Sequence, residues 1–126
     1  MAASDIQYFN SDRACPRGPY SHAAVHNGTV YVASQVGLPP EGEEIGGCAV
    51  QTERALDCIR EILLAAGTDL ARLLKVNIYL SPDGDFAEMN EGYVKALGDA
   101  RPPRSTIPIN HLSDGQVVAI DAVAAI

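Results

Sequence analysis

The hydrophobic positions follow two spacings along the chain, and each spacing predicts a set of elements. Two extended apolar runs, near Ala23–Val25 and Thr29–Val36, flank Asn27-Gly28, a pair that tolerates the positive φ of a tight hairpin turn. Residues 73–80 then alternate apolar with polar side chains, which predicts a half-buried strand. Its predicted inward positions are Leu74, Val76, Ile78 and Leu80.

Two longer segments show the spacing of amphipathic helices. The first covers 49–66, and Gly67 follows it where a left-handed residue would cap its C-terminus. The second is "DFAEMNEGYVKAL", which has Asp83 or Asp85 as its candidate N-cap. The prolines of "RPPR" stop this helix, because proline cannot continue it. Its apolar stripe comprises Phe86, Met89, Tyr93 and Leu97.

The last stretch, "QVVAIDAVAAI", is apolar at both parities, as a central strand covered on both sides would be. The order of elements is therefore a strand pair, a helix, a strand, a second helix, and one or more final strands. Two helices on one face of a mixed sheet are the simplest way to bury these stripes, so the sequence predicts an α+β fold. The 126 residues, 47% of them hydrophobic, fit one domain over 1–126.

Composition argues against several function classes. A formal net charge of -7, with nine scattered Lys and Arg residues, provides no basic surface, so no nucleic-acid partner is expected. No apolar run approaches the roughly 20 residues of a membrane span, and "MAASDIQYFNS" lacks the features of a signal peptide. We therefore expect a soluble, cytoplasmic protein without a membrane partner.

Neither the cysteines nor the histidines predict a site of their own. The cysteines are odd in number and show no CxxC spacing, which predicts buried or idle thiols at Cys15, Cys48 and Cys58. Histidine is the usual general base, yet none has a Ser, Cys or Asp partner at a recognisable spacing: His22, His26 and His111. No metal site is predicted.

Three residues have patterns that point to ligand binding. Arg104 follows two prolines, which restrain its backbone, and its guanidinium can bind a carboxylate through two parallel hydrogen bonds. Tyr20 follows Gly18-Pro19, a bend that can aim its phenol into a cleft. Asn90 lies at the edge of the second helix's apolar stripe. Each residue also has an ordinary interpretation. Arg104 would form a surface ion pair, Tyr20 would be a packed loop side chain, and Asn90 would be a surface amide.

Four motifs resemble a known family when they are taken in order. They are "RGPYSHA", the Asn27-Gly28 hairpin, "FAEMNEGYVKAL", and "PPRSTIPI" followed by a final apolar strand. Together they resemble the Rid family of reactive-intermediate imine/enamine deaminases, also called YjgF-like, over nearly the whole chain. The resemblance implies a chorismate-mutase-like α+β subunit, a homotrimer, and ligand clefts between neighbouring subunits. It implies neither a metal nor an organic cofactor.

The resemblance also implies roles for the three candidate residues. In typical members a tyrosine, an asparagine and an arginine line the cleft, and here those positions are Tyr20, Asn90 and Arg104. The arginine then grips the carboxylate of a 2-imino or 2-enamino acid, and a water attacks the imine carbon. The products are ammonia and a 2-keto acid. A small-molecule carboxylate substrate is thus the implied partner, besides further copies of the chain.

The sequence departs from the family pattern on its last strand. Active deaminases use a glutamate there, and alignment from Arg104 without a gap places Ala119 at that position. Asp121 points to the same side of the strand, but about 7 Å further along it. Two other differences affect the pocket: Ala33 and Ser34 replace the residues of the usual "SGQ", and Thr106 replaces a frequent cysteine.

Two functions stay open on these residues. The first is a Rid-type hydrolase acting on C=N bonds, with Asp121, Tyr20 or His22 as the group that activates water. The second is a family member without deaminase activity, which binds a small carboxylate or acts on a specialised pathway intermediate. The retained arginine supports a carboxylate ligand for both functions. Ala119 distinguishes the two, because it stands where active deaminases have a glutamate.

Overall fold

The computed structural model of the chain describes residues 5–12 and 18–126. Its elements in chain order are β1 (Gln7–Phe9), β2 (Ala23–His26), β3 (Thr29–Val36), α1 (Cys48–Ala65), a short 3-10 turn (Leu70–Arg72), β4 (Leu73–Leu80), α2 (Phe86–Leu97), β5 (Arg104–Pro108) and β6 (Val118–Ala125). The hairpin, both helices and the strand at 73–80 are therefore confirmed. Strand β1 was not predicted, and Cys15 and Arg17 lie outside the described residues.

The strands form one mixed sheet in the order β1-β2-β3-β6-β4-β5. Strands β4 and β5 are parallel, because α2 forms the crossover between them, and every other neighbouring pair is antiparallel. Both helices lie on one face of the sheet, so the predicted α+β arrangement is confirmed. We call the other side of the sheet the outer face.

The core lies between the helices and the sheet. Every second residue of β6 from Val118 to Ala124 belongs to the buried cluster, and α1 contributes its apolar stripe. The β6 residues that alternate with these buried ones, such as Ala119 and Asp121, therefore point to the outer face. The largest fully buried apolar side chains are Leu56, Ile59, Ile62, Leu63, Ile78, Met89, Ile120, Val30, Val76 and Val118.

One predicted inward position on β4 is wrong. Leu74 is 48% exposed, although it shares the parity of the fully buried Val76 and Ile78. The pairing of β4 with β6 shifts register between Leu73 and Lys75, which inserts one extra residue and reverses the alternation. Leu73 packs against the core instead.

The helix ends match the predicted capping residues. Of the two N-cap candidates, Asp85 caps α2, and its Oδ1 accepts a hydrogen bond from the Glu88 backbone N–H at 2.9 Å. Gly67 adopts φ +93° just past α1, a left-handed conformation that glycine tolerates. Its N–H and that of Thr68 then satisfy carbonyls of the last helical turn.

Close contact between the two helices depends on Gly92 of α2. A Cβ at this position would lie 2.3 Å from the Ala49 carbonyl oxygen and 3.0 Å from the Thr52 Cβ on α1. Because a backbone carbonyl cannot move aside easily, overpacking should exceed the gain in helix propensity. We expect Gly92→Ala to lower the free energy of unfolding by about 1–2 kcal/mol.

Denaturant unfolding at one protein concentration tests this expectation. The matched control is Glu91→Ala, since Glu91 is exposed and its replacement introduces no atom near α1. We expect the control to change stability by less than about 0.5 kcal/mol. Equal midpoints for Gly92→Ala and the unsubstituted protein would show that the helices can separate without cost.

Candidate functional site

Arg104 begins β5, the edge strand, and its side chain extends over α2. Its Nη1 donates a hydrogen bond to Asn90 Oδ1 at 2.8 Å. The guanidinium carbon lies 4.8 Å from the Tyr93 ring centroid and 5.9 Å from that of Phe86. The structure therefore brings Arg104 and Asn90 together, as the family resemblance implies, and it adds two aromatic rings that sequence reasoning did not assign to the site.

The positive charge of Arg104 has no acidic partner in the part of the chain that the structure describes. Across the described ranges 5–12 and 18–126, no carboxylate forms an ion pair with it, which disfavours the surface ion-pair interpretation. Burial raises the pKa of Tyr93, so its phenol stays neutral and cannot compensate the charge. A half-buried guanidinium on aromatic faces, with one N–H oriented by an amide, is suited to bind an incoming anion.

A cavity of about 510 Å³ adjoins the Arg104 cluster. Phe86 belongs to both, and Thr106 stands two residues beyond Arg104 on the same face of β5. The rest of the lining is mostly apolar: Leu80, Ser81, Pro82, Pro108 and Ile109. A carboxylate on Arg104 can therefore place a small apolar group in this cavity, beside Thr106.

Tyr20 lies at the opposite end of the sheet from Arg104. It precedes β2, whereas Arg104 is on β5, and three strands lie between these two, a separation of about 19 Å at normal strand spacing. Tyr20 is 50% exposed and lines a second cavity of about 540 Å³ together with Tyr8, Tyr31, His22 and Ala33. One chain thus does not unite the two residues.

Ala33 and Ser34 occupy an irregular part of β3. The pairing of β3 with β6 shifts register between Val32 and Gln35, so both residues lie in a bulge that faces the β6 segment around Asp121. Ser34 is exposed, and Ala33 lines the cavity that contains Tyr20. Both residues therefore lie on the β2–β3 side of the sheet with Tyr20, which we call the Tyr20 half of the chain. The side formed by β4, β5 and α2 is the Arg104 half.

Ala119 and Asp121 point to the same side of β6, as predicted, and this side is the outer face. Arg104 pairs with Val76 on the helix-covered face, so the arginine and Ala119 lie on opposite faces of one sheet. The Asp121 carboxylate accepts hydrogen bonds from Asn77 Nδ2 at 2.9 Å and from the Tyr79 hydroxyl at 2.7 Å. Sequence reasoning missed both donors because they alternate with buried residues and resemble a solvated strand face.

The histidines do not contact the Arg104 cluster. His22 is buried and its Nδ1 accepts a hydrogen bond from the Ser11 backbone N–H at 3.1 Å. His26 pairs with Asp5 at 3.1 Å and His111 pairs with Asp83 at 3.2 Å, both at exposed positions. These acidic partners were not evident from sequence spacing.

Cys48 is a buried thiol, as expected. Its Sγ donates to the Asp85 carbonyl at 3.4 Å, and burial raises its pKa, which keeps the thiol protonated. Within the described residues, no three His, Cys, Asp or Glu side chains form a group that could hold a metal ion. Neither helix there has the length and apolarity needed to cross a bilayer.

Comparison with known sequences matches nearly the whole chain. A family model described as "Endoribonuclease L-PSP" matches residues 11–126. A RutC family protein of Pyrococcus horikoshii is 35% identical over 118 residues, which cover 92% of this chain and 94% of that protein. The human 2-iminobutanoate/2-iminopropanoate deaminase is 34% identical over 109 residues, which cover 85% of this chain and 80% of that enzyme.

Comparison with solved structures agrees. The crystal structure of RidA from an Antarctic Psychrobacter species is 34% identical and superposes with a TM-score of 0.84, covering 95% of this chain and 99% of that one. The predicted chorismate-mutase-like subunit fold is thereby confirmed. The motifs, the fold and these relatives lead to one conclusion: the chain belongs to the Rid family, also described as the YjgF-like or endoribonuclease L-PSP family.

Proposed function

We propose that the protein hydrolyses a 2-imino or 2-enamino acid and releases ammonia and a 2-keto acid, with the substrate carboxylate held by Arg104. The observation that supports this proposal is the environment of the Arg104 side chain. Its guanidinium is half-buried, oriented by Asn90 and stacked on Tyr93, and no carboxylate of the described chain neutralises it. The human relative carries the name of a deaminase for acids of this class.

The reaction needs three things from the protein. The carboxylate must be fixed, the imine nitrogen must be protonated so that its carbon becomes electrophilic, and a water must be oriented toward that carbon. Arg104 supplies the first through paired hydrogen bonds. The adjacent apolar cavity with Phe86 and Thr106 then receives the substrate side chain and fixes the position of the imine carbon.

The complete site requires more than one copy of the chain. Tyr20, Ala33, Ser34 and Ala119 belong to surfaces that do not face Arg104 within one subunit. Contact between the Tyr20 half of one subunit and the Arg104 half of its neighbour would unite them. We therefore expect a homotrimer with three such clefts, and light scattering after size exclusion would give its mass.

A second candidate is a protein that binds a small carboxylate without deaminating it. Ala119 favours this alternative, because its methyl group on the outer face cannot accept a proton as the family glutamate does. RNA cleavage, which the description of the family model names, receives less support here. A chain with a net charge of -7 repels a phosphate backbone.

The deciding experiment generates the substrate in place. An amino-acid oxidase acting on alanine or longer amino acids produces the 2-imino acids, and their decay is followed with and without the protein. Faster decay supports the hydrolase. Unchanged decay, combined with calorimetric binding of the 2-keto acids, would favour the carboxylate-binding alternative.

The orientation of Arg104 by Asn90 provides a separate prediction. Asn90→Asp keeps the shape of the side chain but places a carboxylate about where the amide oxygen now accepts its 2.8 Å hydrogen bond. This charge would compete with the ligand, and we expect the affinity for 2-keto acids to fall about 10-fold to 100-fold. Calorimetric titration measures the change.

Asn27→Asp is the matched control, since it adds the same charge in the exposed hairpin turn, where aspartate is also favoured. We expect its affinity to equal that of the unsubstituted protein. Tight binding retained by Asn90→Asp would mean that the ligand does not use Arg104.

A further inference from the structure

Tyr79 lies beside the position where the family glutamate is missing. In the antiparallel pairing of β4 with β6, Tyr79 is directly opposite Ala119, and both side chains point to the outer face. Directly opposed residues on one face have Cβ atoms about 4.5–5.5 Å apart. The Tyr79 side chain therefore starts next to the small methyl group of Ala119.

Two hydrogen bonds connect this phenol to a fixed carboxylate. The Tyr79 hydroxyl donates to Asp121 Oδ2 at 2.7 Å, while Asn77 Nδ2 donates to Oδ1 at 2.9 Å and holds the carboxylate in place. The hydrogen bond to Asp121 raises the pKa of Tyr79, with smaller contributions from burial and from the negative charge. Tyr79 thus remains a neutral phenol whose proton is directed at a carboxylate oxygen.

The tyrosine resolves the difficulty that Asp121 poses by itself. Asp121 is about 7 Å further along β6 than Ala119, and both of its oxygens already accept hydrogen bonds. The Tyr79 hydroxyl, 2.7 Å from Asp121 Oδ2, extends the reach of this carboxylate by one hydrogen bond. Because the hydroxyl oxygen is the atom of the phenol that exchanges a proton, a molecule in the outer-face cleft that contacts it can exchange a proton with Asp121 without movement of the strand.

We propose that Tyr79 is a catalytic residue and that, with Asp121 as its proton acceptor, it replaces the glutamate that the chain lacks. This inference rests on the proposed imine hydrolysis. Under this inference, Tyr79 and Asp121 line the same cleft as Ala119. Asp121 then acts through the phenol, as a positioning residue.

The proton transfers balance in both half-reactions. In the first, the water oxygen bonds to the carbon of the protonated imine, and the C=N π electrons move to nitrogen. A water proton passes to the Tyr79 oxygen as the phenol proton passes to Asp121. In the second, the proton on Asp121 returns through Tyr79 to the amine nitrogen, and the C–N bond breaks. Ammonia leaves, the hydroxyl oxygen becomes the keto oxygen, and its proton goes to solvent.

Tyr79→Phe tests the inference because it removes only the hydroxyl oxygen. In the oxidase-coupled assay we expect kcat to fall about 10-fold to 100-fold while KM changes less than about two-fold. Asp121→Asn should reduce kcat similarly, since an amide cannot take up the proton. Ser113→Ala is the control: it removes an exposed hydroxyl from the loop before β6, outside the hydrogen bonds that connect Tyr79, Asp121 and Asn77, and should leave kcat unchanged.

A rescue separates catalysis from structure. Adding Ala119→Glu to Tyr79→Phe should restore kcat to at least the unsubstituted level, because the glutamate makes the phenol unnecessary. Unchanged kcat in Tyr79→Phe would overturn the inference while leaving the proposed hydrolase activity intact. A fall in kcat that comes with lower thermal stability or with loss of assembly would also overturn it, because the hydroxyl would then have a structural role. No acceleration by the unsubstituted protein would remove the hydrolase itself, and with it the role of Tyr79.

Discussion

Replacing Arg104 by alanine is expected to reduce kcat/KM for a 2-imino acid by about 100-fold or more, because truncating one partner of a desolvated charge pair costs several kcal/mol. The loss should appear equally in the binding of 2-keto acids, which carry the same carboxylate. Arg104→Lys should recover little, since an ammonium cannot form the two parallel hydrogen bonds of a guanidinium. Oxidase-coupled kinetics and calorimetry measure the two effects.

Arg101→Ala is the matched control for Arg104→Ala. Arg101 is exposed, and its Nη1 donates to the Gly98 and Ala100 carbonyls, at 2.6 and 2.8 Å, at the end of α2. Its removal takes the same charge from the chain and leaves in place the Arg104 hydrogen bond to Asn90 and the contact of Arg104 with the Tyr93 ring. If both variants lost activity equally, the effect would come from net charge, and the proposed role of Arg104 would be wrong.

The fold could be predicted from the sequence wherever burial is periodic. The stripe of α1, the alternation at Val76 and Ile78, and the Asn27-Gly28 turn each depend on local spacing, so the elements they predict agree with the structure. Leu74 shows the limit. A bulge depends on pairing with a strand about fifty residues away, and nothing in the eight residues of β4 marks it.

The candidate site could be predicted only in part. The residues of the Arg104 cluster, Asn90 and Arg104, were found because family motifs contain them, and the structure places them in contact. Tyr79 was missed, because its meaning depends on being opposite Ala119 in a register that sequence does not reveal. The separation of Tyr20 from Arg104 also required the strand order, and it is the reason that we propose a second subunit at the site.

Restoring a glutamate at Ala119 should have the second large effect. Ala119 points to the outer face between Val36 and Tyr79, and it is not a member of the helix-facing core cluster, so a longer side chain can extend away from the core. A carboxylate here would orient water and transfer protons directly. We expect Ala119→Glu to raise kcat about 10-fold to 100-fold, within the usual range for one general acid–base group.

The comparison of Ala119→Glu with Ala119→Gln decides what the substitution supplies. Glutamine fills the same space but cannot exchange a proton at neutral pH, so it should leave kcat at or below the unsubstituted level. Activity that appears in Ala119→Glu from an inactive unsubstituted protein would support the carboxylate-binding alternative for the natural chain. An increase over measurable natural activity would instead fit a hydrolase whose phenol relay is slower than a glutamate. Equal rates for the two variants would show that proton transfer at this position does not limit the reaction.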